Sequence, residues 1–181
     1  MKKIFLITLL SLSLFADPKN DMFNLYQNEK YEKACILGHK YLDRHVRDEE
    51  FISLYAFSCL KSDYIDRLAL PVSLLKFSEE SRANSAYLSV ILMQKKLLYH
   101  SLVDGYDITQ LKLPSTDYIL SKVFDLYAKL GKHERRNLYL FDDKNNSKIS
   151  YKLYLVQDGN LRKMVIEEYY DTISIQRHVY W

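Results

Sequence analysis

The chain has 181 residues and a formal net charge of +3 at neutral pH. Two of those positive charges are Lys2 and Lys3, and the remainder is close to neutral, which excludes a dedicated nucleic-acid surface. Four glycines and three prolines exclude a loop-rich scaffold and any glycine-rich phosphate cradle, and point to long helices with short connections. Tyrosine is abundant, with sixteen residues. It packs well at boundaries and interfaces, although a composition rich in Lys, Asn, Ile and Phe accounts for it equally well.

The first element in chain order is an export signal. Met1-Lys2-Lys3 is a positive n-region, and Ile4 to Phe15 is an apolar run interrupted only by Thr8, Ser11 and Ser13. Ala16 and the polar stretch Asp17-Pro18-Lys19-Asn20 close it. This is the order of a secretory signal peptide over residues 1–16, with the mature chain beginning at Asp17. The run is too short to span a bilayer, which takes about 20 apolar residues. An uncleaved anchor is the competing reading. No cysteine near the cut offers a lipid attachment point. The implied location is the periplasm, with no membrane span after cleavage.

Residues 17–136 read as a helical domain. Phe23, Tyr26, Ala34, Leu37 and Tyr41 fall at helical spacing, with a break at Gln27-Asn28-Glu29-Lys30. A second polar break runs from Arg44 to Asp48. Phe51, Ile52, Tyr55, Ala56, Cys59 and Leu60 then form a stripe that Lys61-Ser62-Asp63 ends. Pro71, among Leu68, Leu70, Leu74, Leu75 and Phe77, kinks a helix or marks its start. After the polar run Ser78 to Ser85, an amphipathic helix is predicted from Ala86 to Leu102, its apolar character broken by Gln94-Lys95-Lys96. A connection over 103–114 leads to a helix capped by Ser115 or Thr116, with Ile119, Leu120, Val123, Phe124, Tyr127 and Leu130 on one face and Gly131 past its end. Lys132-His133-Glu134-Arg135-Arg136 reads as a solvated helix end or linker.

From about Asn137 the period changes to two, predicting an antiparallel β meander over 137–181 with three or four strands. Asp142 to Lys148 is a polar turn. Ile149, Tyr151, Leu153 and Leu155 share a face, and Asp158-Gly159 is a hairpin signal because glycine accepts positive φ. Leu161 to Tyr170 returns. Ile173, Ile175, Arg177, Val179 and Trp181 share a face of the last strand, with Trp181 as its anchor. The fold class expected is therefore α+β, antiparallel helical hairpins followed by a small meander.

Two segments resemble known families. Leu25-Tyr26-Gln27-Asn28-Glu29-Lys30-Tyr31-Glu32-Lys33-Ala34, continuing to Gly38, Tyr41 and Leu42, is similar to the second half of a tetratricopeptide (TPR or Sel1-like) repeat. Its 34-residue period predicts a new repeat near Glu49, where Ile52, Tyr55, Ala56 and Cys59 follow. The register beyond, at Ala86, Ser89, Val90 and Met93, fits poorly, and the closing proline is missing. The resemblance covers about residues 22–95 and competes with a generic helical bundle. It implies hairpins that present a concave surface to a protein partner. In the tail, Asp158 to Lys163 followed by Glu168 to Asp171 is similar to a single β-hairpin repeat of the MORN type.

No catalytic, cofactor or metal motif is legible. His39, His45, His100, His133 and His178 show no metal-ligand spacing and read as surface or boundary residues. Asp142-Asp143-Lys144-Asn145-Asn146 lacks the glycine and closing glutamate of a calcium loop. No Gly-x-Ser-x-Gly elbow exists, and no spacing selects a triad. The one pair that geometry selects is Cys35 and Cys59, each twelve residues from Arg47 in a polar break. Facing residues of an antiparallel helix pair lie equidistant from the turn, and Gly38 and Ala56, each three residues from its cysteine, permit close approach. A structural disulfide is expected; buried free thiols and a redox pair are the alternatives. These features lead to a non-enzymatic periplasmic adaptor or scaffold that binds a protein partner of a cell-envelope machine. The competing expectation is a small periplasmic enzyme without a recognisable motif.

Overall fold

The computed structural model describes residues 17–131 and 136–181. The predicted signal segment, residues 1–16, and most of the basic stretch, residues 132–135, lie outside the described residues. The architecture is α+β. Among the described residues, six α-helices are followed along the chain by a four-stranded antiparallel sheet.

Helix α1 (Pro18–Gln27) begins with proline at its first position, and Asp17 accepts the Lys19 N–H at 3.0 Å as N-cap. Glu29 turns the chain with φ of 56°, and α2 (Tyr31–Tyr41) runs back beside α1. A 3-10 turn (Leu42–Arg44) leads to α3 (Glu49–Lys61), capped by Asp48 on the Phe51 N–H at 3.0 Å. The stripe expected on α3 is real: Phe51, Ile52, Tyr55, Ala56, Cys59 and Leu60 are all buried.

A second 3-10 turn (Ile65–Leu68) runs into the short α4 (Ala69–Leu74). Pro71 sits in the first turn of α4, where its missing N–H costs nothing. Of the residues expected to form an apolar run here, Leu68 and Leu75 are buried, whereas Leu70 and Phe77 stay exposed.

Helix α5 (Glu79–Asp104) corrects the predicted boundary. It starts seven residues before Ala86, because Ser78 caps the Ser81 N–H at 3.1 Å and Glu79 and Glu80 complement the helix dipole. The polar run is the solvated first part of the helix rather than a loop. Gly105, left-handed at φ 77°, closes α5. Helix α6 (Ile119–Ala128) starts after Tyr118. Neither Ser115 nor Thr116 is its N-cap. Thr116 Oγ1 instead accepts the Tyr118 N–H at 3.3 Å and bonds the Ser121 hydroxyl at 2.7 Å. The apolar face of α6 is buried through Tyr127, while Leu130 lies beyond the helix end and is exposed.

The sheet is a plain meander of β1 (Leu138–Asp142), β2 (Ile149–Asp158), β3 (Leu161–Tyr170) and β4 (Ile173–Tyr180). Asp158 pairs with Leu161 across the predicted hairpin turn, with Gly159 at φ 56°. One cross-strand row, Tyr139, Leu153, Ile166 and His178, is buried on every strand. This inner face rests on the helices: the Tyr127 and Tyr139 rings meet edge to face at 5.0 Å, and Tyr99 Oη donates to the Arg162 carbonyl at 2.6 Å. Helices and sheet therefore share one apolar core that runs from Met22 to Tyr180.

Strand β4 corrects two expectations. The residues Ile173, Ile175, Arg177, Val179 and Trp181 do not share one face, because the register shifts between Glu168 and Tyr169 and leaves Ile175 without a pair; Ile173 lies on the side of His178, and Arg177 and Val179 lie on the other. Ile173 and Ile175 are 68% and 54% exposed, and His178 and Tyr180 are buried. Trp181 is therefore not the anchor of the strand; Tyr180, fully buried, is. The extra residue of this bulge breaks the period of two, so alternation counted along the sequence could not carry one face through the whole strand.

Candidate binding cleft

Cys35 and Cys59 form a disulfide between α2 and α3, with Cα atoms 4.7 Å apart. The approach is permitted by Gly38, where an added Cβ would meet Tyr55 Cδ2 at 2.5 Å. Both cysteines are fully buried.

Beyond Cys59 the chain leaves α3 through a tight exit. The Tyr64 N–H returns to the Cys59 carbonyl at 3.0 Å, and Asp63 takes a left-handed φ of 64°, a conformation that aspartate tolerates better than most residues. The 3-10 turn that follows has three residues per turn, so side chains three apart eclipse one another. Ile65 and Leu68 therefore face the core together and are buried. By the same spacing Tyr64 and Arg67 stack, with the Arg67 guanidinium 4.5 Å above the Tyr64 ring.

Two polar groups fix this turn against the rest of the fold. Asp63 receives β4: His178 Nδ1 donates to Oδ1 at 2.7 Å and the Val179 N–H to Oδ2 at 3.3 Å. The Tyr118 hydroxyl lies 3.2 Å from the same Oδ1, 3.1 Å from the Leu60 carbonyl and 3.5 Å from the Tyr180 hydroxyl. Desolvation, with Asp63 adding to it, raises the pKa of Tyr118 and that of Tyr180 far above the ordinary phenol value. Both phenols stay neutral and act only as hydrogen-bonding groups. His178, expected as a surface or boundary residue, is buried where the sheet meets the end of α3. It is 6% exposed, and its partner lies 115 residues away.

Asp66 receives α5. Lys95 Nζ donates to Oδ1 at 2.9 Å and Lys96 Nζ to Oδ2 at 2.8 Å. Lys95 also donates to the main-chain oxygen of Trp181. The triplet Gln94-Lys95-Lys96 does not form one solvated face, because Gln94 and Lys95 are buried and only Lys96 is exposed. Desolvation lowers the pKa of Lys95 and Asp66 opposes it. Desolvation pushes Asp66 the other way, but the Lys96 and Lys95 ammonium groups outweigh it and hold the carboxyl below its usual range. Gln94 donates to the Pro114 carbonyl at 3.0 Å and accepts from Ser121, tying α5 to the connection before α6.

These attachments leave a cleft of about 240 Å³ lined by Asp63, Tyr64, Ile65, Asp66, Arg67, Lys95 and Trp181. Its walls are aromatic, since the Tyr64 and Trp181 rings meet edge to face at 6.2 Å. Trp181 is 45% exposed and carries Lys163 Nζ 4.9 Å from its ring centroid. Asp63, Asp66 and Lys95 are occupied by the contacts that build the fold. Arg67 differs. It is half-buried, and Nη1 donates only to Cys35 Sγ, a weak acceptor at 3.4 Å. No carboxylate among the described residues pairs with it.

The described residues contain no cluster of His, Cys, Asp and Glu able to hold a metal ion. The acidic turn expected to be solvated satisfies its own backbone: Asp143 Oδ1 accepts the Asn145 and Asn146 N–H groups at 2.8 and 3.1 Å, and Oδ2 accepts the Tyr151 hydroxyl at 2.6 Å. No helix among the described residues is long and apolar enough to cross a membrane. No family model, curated protein or solved structure matches the chain.

Proposed function

We propose that this chain is a non-enzymatic adaptor of the cell envelope that docks a protein partner at the Tyr64–Arg67–Trp181 cleft. The observation that carries this reading is Arg67, a half-buried guanidinium stacked on one aromatic ring, beside a half-exposed tryptophan and without an acidic partner. Arginine, tyrosine and tryptophan are the residue types that dominate binding energy at protein interfaces. The successive antiparallel packing of α1 on α2 and of α2 on α3 suits the tetratricopeptide-like reading of this region. The signal-like N-terminus and the disulfide suit an oxidising, exported setting such as the periplasm.

The test is affinity capture from envelope extracts, comparing the mature protein with a Trp181→Ala variant. The adaptor reading expects one envelope protein enriched by the first and lost from the second. Equal recovery by both, or no specific partner at all, counts against it.

A further inference from the structure

We infer that the docked segment of the partner is an extended acidic peptide that places a side-chain carboxylate on Arg67 and an adjacent apolar side chain against Tyr64 and Trp181. This deepens the adaptor reading and rests on it. The argument is one of charge and shape. Among the described residues the cleft is lined by two cations, Arg67 and Lys95, and two fold-building carboxylates, Asp63 and Asp66, and Asp66 is taken by Lys95 and by Lys96 beside the cleft. Lys95 has the Trp181 oxygen as a further partner. Asp63 already accepts from His178 and the Val179 N–H. Among the described residues, Arg67 is left as the one cation lining the cleft with no acid.

A guanidinium offers parallel N–H donors in a fixed fork that matches a carboxylate bidentately. Here the guanidinium is stacked on the Tyr64 ring and its Nη1 is held by Cys35 Sγ, so little side-chain freedom remains to be lost on binding. The aromatic walls limit water on two sides of the ion pair, which strengthens it. The cleft volume of about 240 Å³ admits a carboxylate and a few carbon atoms. It is too small for a folded element, so an extended segment is the occupant that fits.

Trp181 is the single tryptophan of the chain and lies in the cleft wall, so its emission reports this site alone. The mature protein is titrated with the end-blocked peptide acetyl-Phe-Glu-Phe-amide, with its Phe-Gln-Phe counterpart, and with inorganic phosphate. The inference expects a saturable change in emission with the Glu peptide and at least tenfold weaker binding of the Gln peptide. Arg67→Gln should weaken the Glu peptide by at least tenfold, and Arg67→Lys, which keeps the charge but loses the fork, by several-fold. Circular dichroism checks that both variants are folded, and the Lys variant carries the test if the Gln variant is not.

Equal binding of the Glu and Gln peptides overturns the inference, as does indifference to both Arg67 variants or the absence of saturation. Phosphate binding as tightly as the Glu peptide also overturns it, by showing a free-anion site. Failure of the peptides while Trp181-dependent capture persists would remove the carboxylate and leave the adaptor reading standing. Loss of both would remove the two together.

Discussion

Asp63 and His178 lie 115 residues apart in the chain and meet at 2.7 Å, joining the end of α3 to the last strand of the sheet. The same carboxylate accepts the Val179 N–H, so one side chain satisfies both a buried imidazole and a backbone donor of β4. Replacing Asp63 by alanine leaves both donors unpaired and puts a β-carbon with no local hydrogen bond at positive φ. An unsatisfied buried donor costs about 1–3 kcal/mol. Urea denaturation of Asp63→Ala should show a loss of that order or more, and Asp63→Asn, which keeps an acceptor and tolerates the backbone, a smaller one. A midpoint unchanged in Asp63→Ala would show that β4 is held without this contact.

The disulfide closes a sequence separation of 24 residues. On the chain-entropy account a loop of this size stabilises the fold by about 3.5 kcal/mol. The variant with both Cys35 and Cys59 replaced by alanine should lose stability of that order in denaturant. Thiol labelling of unreduced, denatured protein from the oxidising compartment should find no reactive thiol. Two reactive thiols per chain would contradict the bridge.

Gly38 is required by what faces it. A methyl group there would sit 2.5 Å from Tyr55 Cδ2 and 2.8 Å from Met22 Sδ, and Tyr55 and Met22 are both buried. Gly38→Ala gains helix propensity on α2 but overpacks the α1–α2–α3 junction. Overpacking costs about 1–3 kcal/mol, so thermal unfolding should show a net loss. A gain in melting temperature would show that the junction relaxes freely.

Glu49 gives stability a pH dependence with a definite sign. It opens α3 and accepts the N–H groups of Lys76, Phe77 and Ser78 at 2.8, 2.7 and 2.9 Å, fixing the loop before α5. Desolvation pushes its pKa up, but hydrogen bonds from Phe77, Lys76 and Ser78 outweigh this and bring it to about 2 from 4.5. A depressed folded-state pKa contributes stability that is present above the unfolded value and lost as pH falls through the folded one. The contribution of Glu49 should therefore fade between about pH 4.5 and pH 2. Glu49→Gln should be less stable than the parent at pH 6 and should converge on it near pH 2. A constant difference across that range would show that the carboxylate charge plays no part.

The local signals were legible and the long-range ones were not. The stripe from Phe51 to Leu60 and the Asp158-Gly159 turn depend on neighbours in sequence, and their periodicity and backbone chemistry are visible there. Ser78 to Ser85 misled because a solvated helix start and a loop share a composition; the cap at Ser78 with Glu79 and Glu80 was the available clue. The cleft had no sequence signature. Tyr64 and Arg67 stack only because that turn is 3-10, and Trp181 joins them from the far end of the chain. The burial of Lys95 had no signal in its own segment, because Asp66, the carboxylate that neutralises it, lies 29 residues away.

The central claim is that a partner docks at the Tyr64–Arg67–Trp181 cleft. Site-specific photo-crosslinking in cells tests it most directly. A benzophenone amino acid is placed at Tyr64, and in a second strain at Ala86, an exposed position near the start of α5. The account predicts a discrete higher-mass adduct with one envelope protein from position 64 and none from position 86. No adduct from position 64, or the same adduct from both positions, would contradict it.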